Sequence, residues 1–339
     1  MTENSSEFSP EQAEVLLGRV SAGQKWFLAV LLLVLSLVPL LINFVSGMNY
    51  YLHMMLFTFM YIALASSWNM IGGYTGYTSL GHNVFLAIGG YFSGMLFLEF
   101  GISPFITAPL AGLIAVGFGF LFGLVSLRTR GPAFIISTIA LLLLTKLLFD
   151  NWELIGGTGG LALPFLSVPL QFTKVPFYYG MLLVAVGAIY LSYRIRHSKF
   201  GLGLRAISQD EIKAEVAGIP TNRYKILAFA ISALFVGIAG ALWGYYLTYL
   251  RPSIFLTVIV GAQLVLMTVL GGKGTVAGPV LGAILFIGIN EFFVANFGSS
   301  ELNIVATGVL LAVVLLFFPA GIVGSLKERG RLPAFLDWD

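Results

Sequence analysis

Few residues in this chain have the chemistry for catalysis, and their spacing argues against it. There is no cysteine, so thiolate nucleophiles, disulfides and thiolate metal sites are excluded, and the three histidines are scattered. No nucleophile stands beside a base in a recognisable pattern. Two ionisable residues, Lys146 and Glu291, fall inside long apolar runs. Such residues in a membrane segment are functional by default. Each, however, lies near a run's outer end, where a long side chain reaches the interface, and snorkelling is the expectation. A proton relay needs a chain of carboxylates or histidines within the membrane, and none is present. His53 is expected to make an ordinary interhelical hydrogen bond. Ser79, His82 and Asn83 sit where a glycine-rich joint meets an apolar run. They either line the inner end of a pathway or cap the helix that follows. Thr158 and Gly159, in the longest outer connection, are candidates for an outer gate or a surface for a partner. Trp152 beside them is either an interface anchor or a lipid anchor.

These residues sit on a scaffold whose class is set by composition. Apolar residues make up 58% of the 339 and charged residues 10%, against about 25% charged in an ordinary soluble domain. Apolar runs near the length that crosses a hydrocarbon core of about 30 Å recur along almost the whole chain. The expected fold is therefore an all-α polytopic membrane protein with about ten transmembrane helices. They are placed at 26–45, 48–71, 80–98, 104–127, 132–149, 176–193, 226–249, 254–271, 276–296 and 302–320. Residues 1–25 read as an N-terminal segment in which Ser9, Pro10 and Gln12 start a short interfacial helix. Residues 321–339 read as a tail. Glycine is abundant, 40 of 339 residues, and pairs four apart occur at Gly90/Gly94, Gly119/Gly123, Gly240/Gly244 and Gly278/Gly282. Such pairs let helices in lipid approach backbone to backbone.

Charge orients the chain. With the N-terminus inside, all but three of the 18 Lys and Arg fall in inner segments, the exceptions being Lys146, Lys174 and Arg251. Inner loops are enriched in these residues, so both termini are expected in the cytoplasm. That pattern also explains the net charge of +3 by topology, and no nucleic acid partner is expected. The joint at 72–81 is nearly uncharged, so it is either an inner loop or a re-entrant segment buried in protein. It loosely resembles the joint at 271–274, mostly through glycine.

The one sizeable inner connection, 194–225, contains a short helix expected at 209–217. Ser208 is its expected N-cap and Glu211 the return partner of a capping box, with Asp210 and Glu211 favoured by the helix dipole. Ile212 and Val216 share one face, Ala217 follows, Gly218 suits a left-handed C′ position and Pro220 blocks continuation. Two readings fit. The helix lies on anionic lipid through Arg205, Lys213, Arg223 and Lys225, or it presents Ile212 and Val216 to a groove on a soluble partner.

Residues 201–242 (GLGLRAISQDEIKAEVAGIPTNRYKILAFAISALFVGIAGAL) are similar to the cytoplasmic loop and following helix of branched-chain amino acid ABC permeases of the LivM/LivH type. Four further blocks, 72–91, 130–144, 156–161 and 271–285, resemble that family in the same order, so the likeness covers most of 50–320. The resemblance implies the membrane subunit of an importer for branched-chain or other hydrophobic amino acids. Its implied partners are a second homologous permease, two ATPase subunits, a periplasmic or lipid-anchored solute-binding protein, and membrane lipid. ATP and Mg would be held by the ATPases, with no cofactor or metal in this chain, and the location would be the prokaryotic inner membrane. Glu215-Val216-Ala217-Gly218 resembles the E-A-A/G coupling element, which implies ATPase docking by Ser208, Glu211, Ile212, Glu215, Val216, Ala217 and Gly218. Family members often carry a basic residue where Ser208 stands, and Lys273 inside the second joint is a further departure. Permeases for urea and short-chain amides look the same. A transporter of another class, working alone on an ion gradient, is the remaining alternative. The chain lacks a Walker A loop, since Lys273 is followed by Gly274 and Met267 stands where the first glycine belongs.

Overall fold

The computed structural model describes residues 22–43, 47–166, 168–169, 172–298 and 321–330, with scattered positions from 305 to 317 and at 333 and 338. The described residues form a helical bundle with one two-residue ribbon. The helices are α1 (Ala22–Leu37), α2 (Met48–Gly72), α3 (Val84–Phe100), α4 (Pro104–Ser126), α5 (Pro132–Asp150), α6 (Lys174–Arg196), α7 (Lys199–Gln209), α8 (Glu211–Val216), α9 (Thr221–Leu247), α10 (Pro252–Phe255), α11 (Val258–Gly271), α12 (Ala277–Phe297) and α13 (Gly321–Glu328). Among the described residues, seven stretches are long and apolar enough to cross a bilayer, and two shorter apolar helices, Trp26–Leu41 and Val84–Phe100, accompany them. The chain is thus a polytopic α-helical membrane protein. The expected span at 302–320 and the expected N-terminal helix lie outside the described residues, apart from isolated positions in the former.

Two of the boundaries that differ from expectation do so for a backbone reason. The first span leaves α-geometry at Leu37 and continues as a 3-10 turn over Val38–Asn43, because Pro39 has no N–H to donate. The third span starts at Val84 rather than near residue 80. The joint before it is irregular and mostly buried. Irregular backbone that is buried needs protein partners for its polar groups, and here protein supplies them. Tyr74 N donates to Asn69 O, Leu80 N donates to Thr138 Oγ1 at 3.2 Å, and Trp68 Nε1 donates to Ser79 O at 2.7 Å.

The helix α9 is the organising element, packing along α2, α3, α4 and α6. Its contacts are backbone-close because both sides are small. A Cβ on Gly89 of α3 would stand 2.0 Å from Gly237 O, and one on Gly240 of α9 would stand 2.0 Å from Leu86 O. The expected Gly90/Gly94 and Gly240/Gly244 pairs therefore face each other across this crossing. Gly278 and Gly282 serve the α11–α12 hairpin in the same way, against Gly272 O and Met267 O. At the far end of α9, β1 (Leu161–Ala162) pairs antiparallel with β2 (Tyr249–Leu250), Leu161 opposite Leu250 and Ala162 opposite Tyr249. The fully buried Leu250 side chain reaches the glycine notch of Gly90, Gly94 and Gly244.

Candidate functional site

Among the described residues, most ion pairs gather at the end of the bundle that carries α7 and α8. α7 begins at Ser198, whose Oγ accepts from Gly201 N at 3.1 Å. Leu204 and Ile207 bury one face of this helix, and Gly203 lets it lie against the Tyr224 ring of α9. Buried on that face, α7 runs through Ser208 to Gln209, so Ser208 is not a cap. This corrects the expected single helix at 209–217 and its capping box. Asp210 ends α7 in an extended conformation and caps α8 instead, its Oδ1 accepting from Ile212 N at 3.0 Å and Lys213 N at 3.1 Å. Those backbone hydrogen bonds, Lys213 N first, hold the Asp210 carboxyl below the usual carboxylate range. At the other end the expectation holds. Gly218 is left-handed at φ 87°, with Gly218 N donating to Glu215 O and Ile219 N to Ala214 O, the two bonds of a Schellman close.

Moving the cap two residues along changes what Glu211 does. As the first residue of α8 it does not reach back to Ser208; it turns inward and its side chain is only 12% exposed. Lys225, on the first turns of α9, donates to Glu211 Oε1 at 2.7 Å and is itself 1% exposed. The Tyr77 hydroxyl, from the joint between α2 and α3, donates to Glu211 Oε2, and Lys225 Nζ also donates to that hydroxyl at 3.1 Å. Arg130, in the α4–α5 connection, adds its guanidinium 3.3 Å from Glu211 Oε1. Burial alone would raise the Glu211 carboxyl, but the hydrogen bonds from Lys225 and Tyr77 hold it below its ordinary value. Tyr77 is pushed up by burial and by its bond to that carboxylate.

The rest of α8 faces out. Ile212 is 65% and Val216 86% exposed, while Ala214 is buried beneath them. Glu215 and Ala217 are exposed, and a Cβ on Gly218 would meet open space. Ser208, at the end of α7, lies over the joint, with its Oγ 3.3 Å from where a Gly76 Cβ would be. Burial of Lys225 removes it from the set of basic residues available to a lipid surface. In the sequence Lys225 stood out only as a candidate lipid contact, and Tyr77 and Arg130 were not singled out as site residues. Their partner in Glu211 is 14, 134 and 81 positions away, beyond the reach of any local pattern.

The second joint joins the same layer. Asn69 of α2 donates to Thr275 O at 2.8 Å and accepts from Gly274 N at 2.9 Å. Arg196, at the end of α6, donates to Gly274 O and stands over the Tyr74 ring. Ser79, His82 and Asn83 are all fully buried just ahead of α3. Asn83 Nδ2 donates to Phe255 O at 2.6 Å and Thr257 O at 3.0 Å, tying the first joint to the turn between α10 and α11. His82 sits between the Phe85 and Phe229 rings. The Ser79 hydroxyl, both His82 ring nitrogens and Asn83 Oδ1 make no well-formed hydrogen bond among the described residues. Thr158 and Gly159 belong elsewhere, in a 3-10 turn before β1, where Gly159 O accepts from the Tyr249 hydroxyl. No hydrogen bond joins the two groups. His53 does make the expected interhelical bond, to the Tyr246 hydroxyl at 2.6 Å. Glu291 accepts from the Tyr50 hydroxyl at 3.0 Å, and Lys146 pairs with Asp150 one turn on at 3.4 Å.

Residues 50–319 match the family model described as the branched-chain amino acid transport system / permease component. The chain belongs to this family. Among similar proteins, the high-affinity branched-chain amino acid transport system permease protein LivM of Salmonella typhimurium is 28% identical, with 91% of this chain and 77% of LivM covered. LivH of Escherichia coli is 27% identical over 78% of this chain and 91% of its own. BraD of Pseudomonas aeruginosa is 33% identical over 47% of this chain and 50% of its own. No solved structure matches. No cluster of three metal-ligating side chains occurs among the described residues. The geometry offers an outward-facing apolar patch on α8, seated on a charge cluster that reaches the first glycine-rich joint through Tyr77.

Proposed function

We propose that this permease is the membrane subunit of an ATP-driven importer and that α8 is the helix on which its ATPase docks. The observation that carries this reading is the exposed Ile212/Val216 pair on a helix capped at both ends and anchored from below. A solvated loop helix gains nothing from presenting two large apolar side chains to water. A groove on a partner would bury them, with Glu215, Ala217 and Gly218 at the rim and Ser208 beside it. Glu211, facing inward, contributes to the docking layer by holding α8 rather than by touching the partner.

In the same reading the chain crosses the inner membrane ten times with both termini in the cytoplasm. It pairs with a second permease, and two ATPases supply ATP and Mg chemistry from below. A periplasmic or lipid-anchored binding protein delivers the solute. The names of the relatives support a branched-chain amino acid as that solute. Ser79, His82 and Asn83 fall at the inner mouth of the path and Thr158–Gly159 at the outer edge. Replacing Ile212 or Val216 by Asp should leave the permease folded and stop the ATPase from co-purifying with it, with loss of solute uptake. Undiminished co-purification in both variants would remove α8 from the docking surface.

A further inference from the structure

Tyr77, Glu211 and Lys225 come from three separate parts of the chain and close a ring of contacts, each touching the other two. Lys225 Nζ is 2.7 Å from Glu211 Oε1 and 3.1 Å from the Tyr77 hydroxyl, the Tyr77 hydroxyl donates to Glu211 Oε2, and the ammonium stands 4.7 Å from the Tyr77 ring centroid. Holding a six-residue helix to a bundle does not require this. An apolar pair of similar size would anchor α8 without the desolvation that a buried ion pair entails. What a carboxylate held through both oxygens by two different donors adds is a fixed register. It lets α8 rest in one position against the joint and penalises sliding.

The other contacts of this layer point the same way. Gly76, left-handed at φ 80°, brings the joint's backbone under Ser208. Arg196 grips Gly274 O and covers Tyr74, whose hydroxyl pairs with Ser192 Oγ at 2.7 Å. Both glycine-rich joints are thereby fastened to the α6–α8 region. Five and six residues past Tyr77 the same joint carries His82 and Asn83, and Asn83 reaches the α10–α11 turn. A displacement of α8 that the ring transmits arrives at the buried polar groups of the candidate pathway.

We infer that the Tyr77–Glu211–Lys225 ring is the transmission contact that carries movement of α8 into the joint at 73–83. Lys225 and Tyr77 act as positioning residues for transport. This rests on the reading that α8 docks on an ATPase. The test uses the whole complex in proteoliposomes, with its ATPases and binding protein, and radiolabelled leucine as the probe. Three quantities are read: ATPase co-purified, ATP hydrolysed, and leucine taken up per ATP. In Lys225→Met the ATPase should still co-purify and hydrolyse ATP, while uptake per ATP falls about tenfold, as expected for loss of a coupling contact. Tyr77→Phe removes only the bridging hydroxyl and should lower the same ratio several-fold. Exchanging the charges, Glu211→Lys with Lys225→Glu, should restore part of it. A ring that only holds the fold together would lower hydrolysis and uptake in step, leaving the ratio unchanged, and that result overturns the inference. So does loss of the ATPase from both single variants. Where Lys225→Met fails to fold, Tyr77→Phe decides. Failure of the underlying reading looks different: the unaltered chain would hold no ATPase at all.

Discussion

Glu211 shows how one carboxylate can be assigned the wrong neighbour from sequence alone. Ser208 and Asp210 are both good cap residues, and a capping box needs only Ser208 with Glu211 three positions on. The choice falls to Asp210 because Leu204 and Ile207 draw α7 onto the bundle through Ser208. Glu211 is then free to meet Lys225. The two acidic side chains also set an acid limit on this layer. Both carboxyls are lower in the fold than their ordinary values of 3.8 for Asp210 and 4.5 for Glu211. A lowered folded-state value means that the stabilisation is complete above the ordinary value and disappears as pH falls through the lowered one. Amide exchange in α8 should therefore be slow and level at neutral pH after correction for intrinsic rates. Its protection should begin to drop only once the medium is more acid than about pH 4. Protection lost already near pH 6 would point to a different titrating group.

Helix packing divides the glycines into two kinds, and spacing predicted this better than it predicted any site. Gly240 of α9 meets Leu86 O so closely that a Cβ there would stand 2.0 Å away, whereas a Cβ on Gly117 of α4 would meet nothing within 4 Å. Backbone has no rotamer with which to yield, so Gly240→Ala must push α3 and α9 apart. Gly117→Ala should be neutral or slightly favourable, since alanine suits a helix interior better by roughly 0.5–1 kcal/mol. The expected outcome is a marked fall in folded yield and thermal stability in detergent for the first substitution and none for the second. Equal behaviour would mean that the α3–α9 crossing is not a tight contact. Small residues four apart announced the crossing, but which helix lay opposite had to come from the fold.

Taken as a whole, the protein is a bundle gathered around α9, with α2 buried along its inner length and polar fastenings at both ends. At the end away from α8, the β1–β2 ribbon is held down by Leu250 in its glycine notch. The notch exists only because Gly90, Gly94 and Gly244 lack side chains. Leu250→Ala empties it, and a large-to-small change at a fully buried site costs about 2–5 kcal/mol. The variant should lose thermal stability, and the ribbon should become open to protease while α8 keeps its protection. Loss of protection at both ends together would show that the two ends are one cooperative unit.

Composition and run length were enough to establish a multi-pass helical protein, because the length of an apolar run is a local property and a bilayer imposes a local requirement on it. The left-handed glycine that closes α8 was legible for the same reason: a helix end is determined within a few residues. Tertiary structure alone decided that Lys225 is buried rather than facing lipid and that Tyr77 meets Glu211. Such pairings join residues up to 134 positions apart. The preference of a charge for one partner over water depends on what surrounds it, and no window along the chain contains those surroundings.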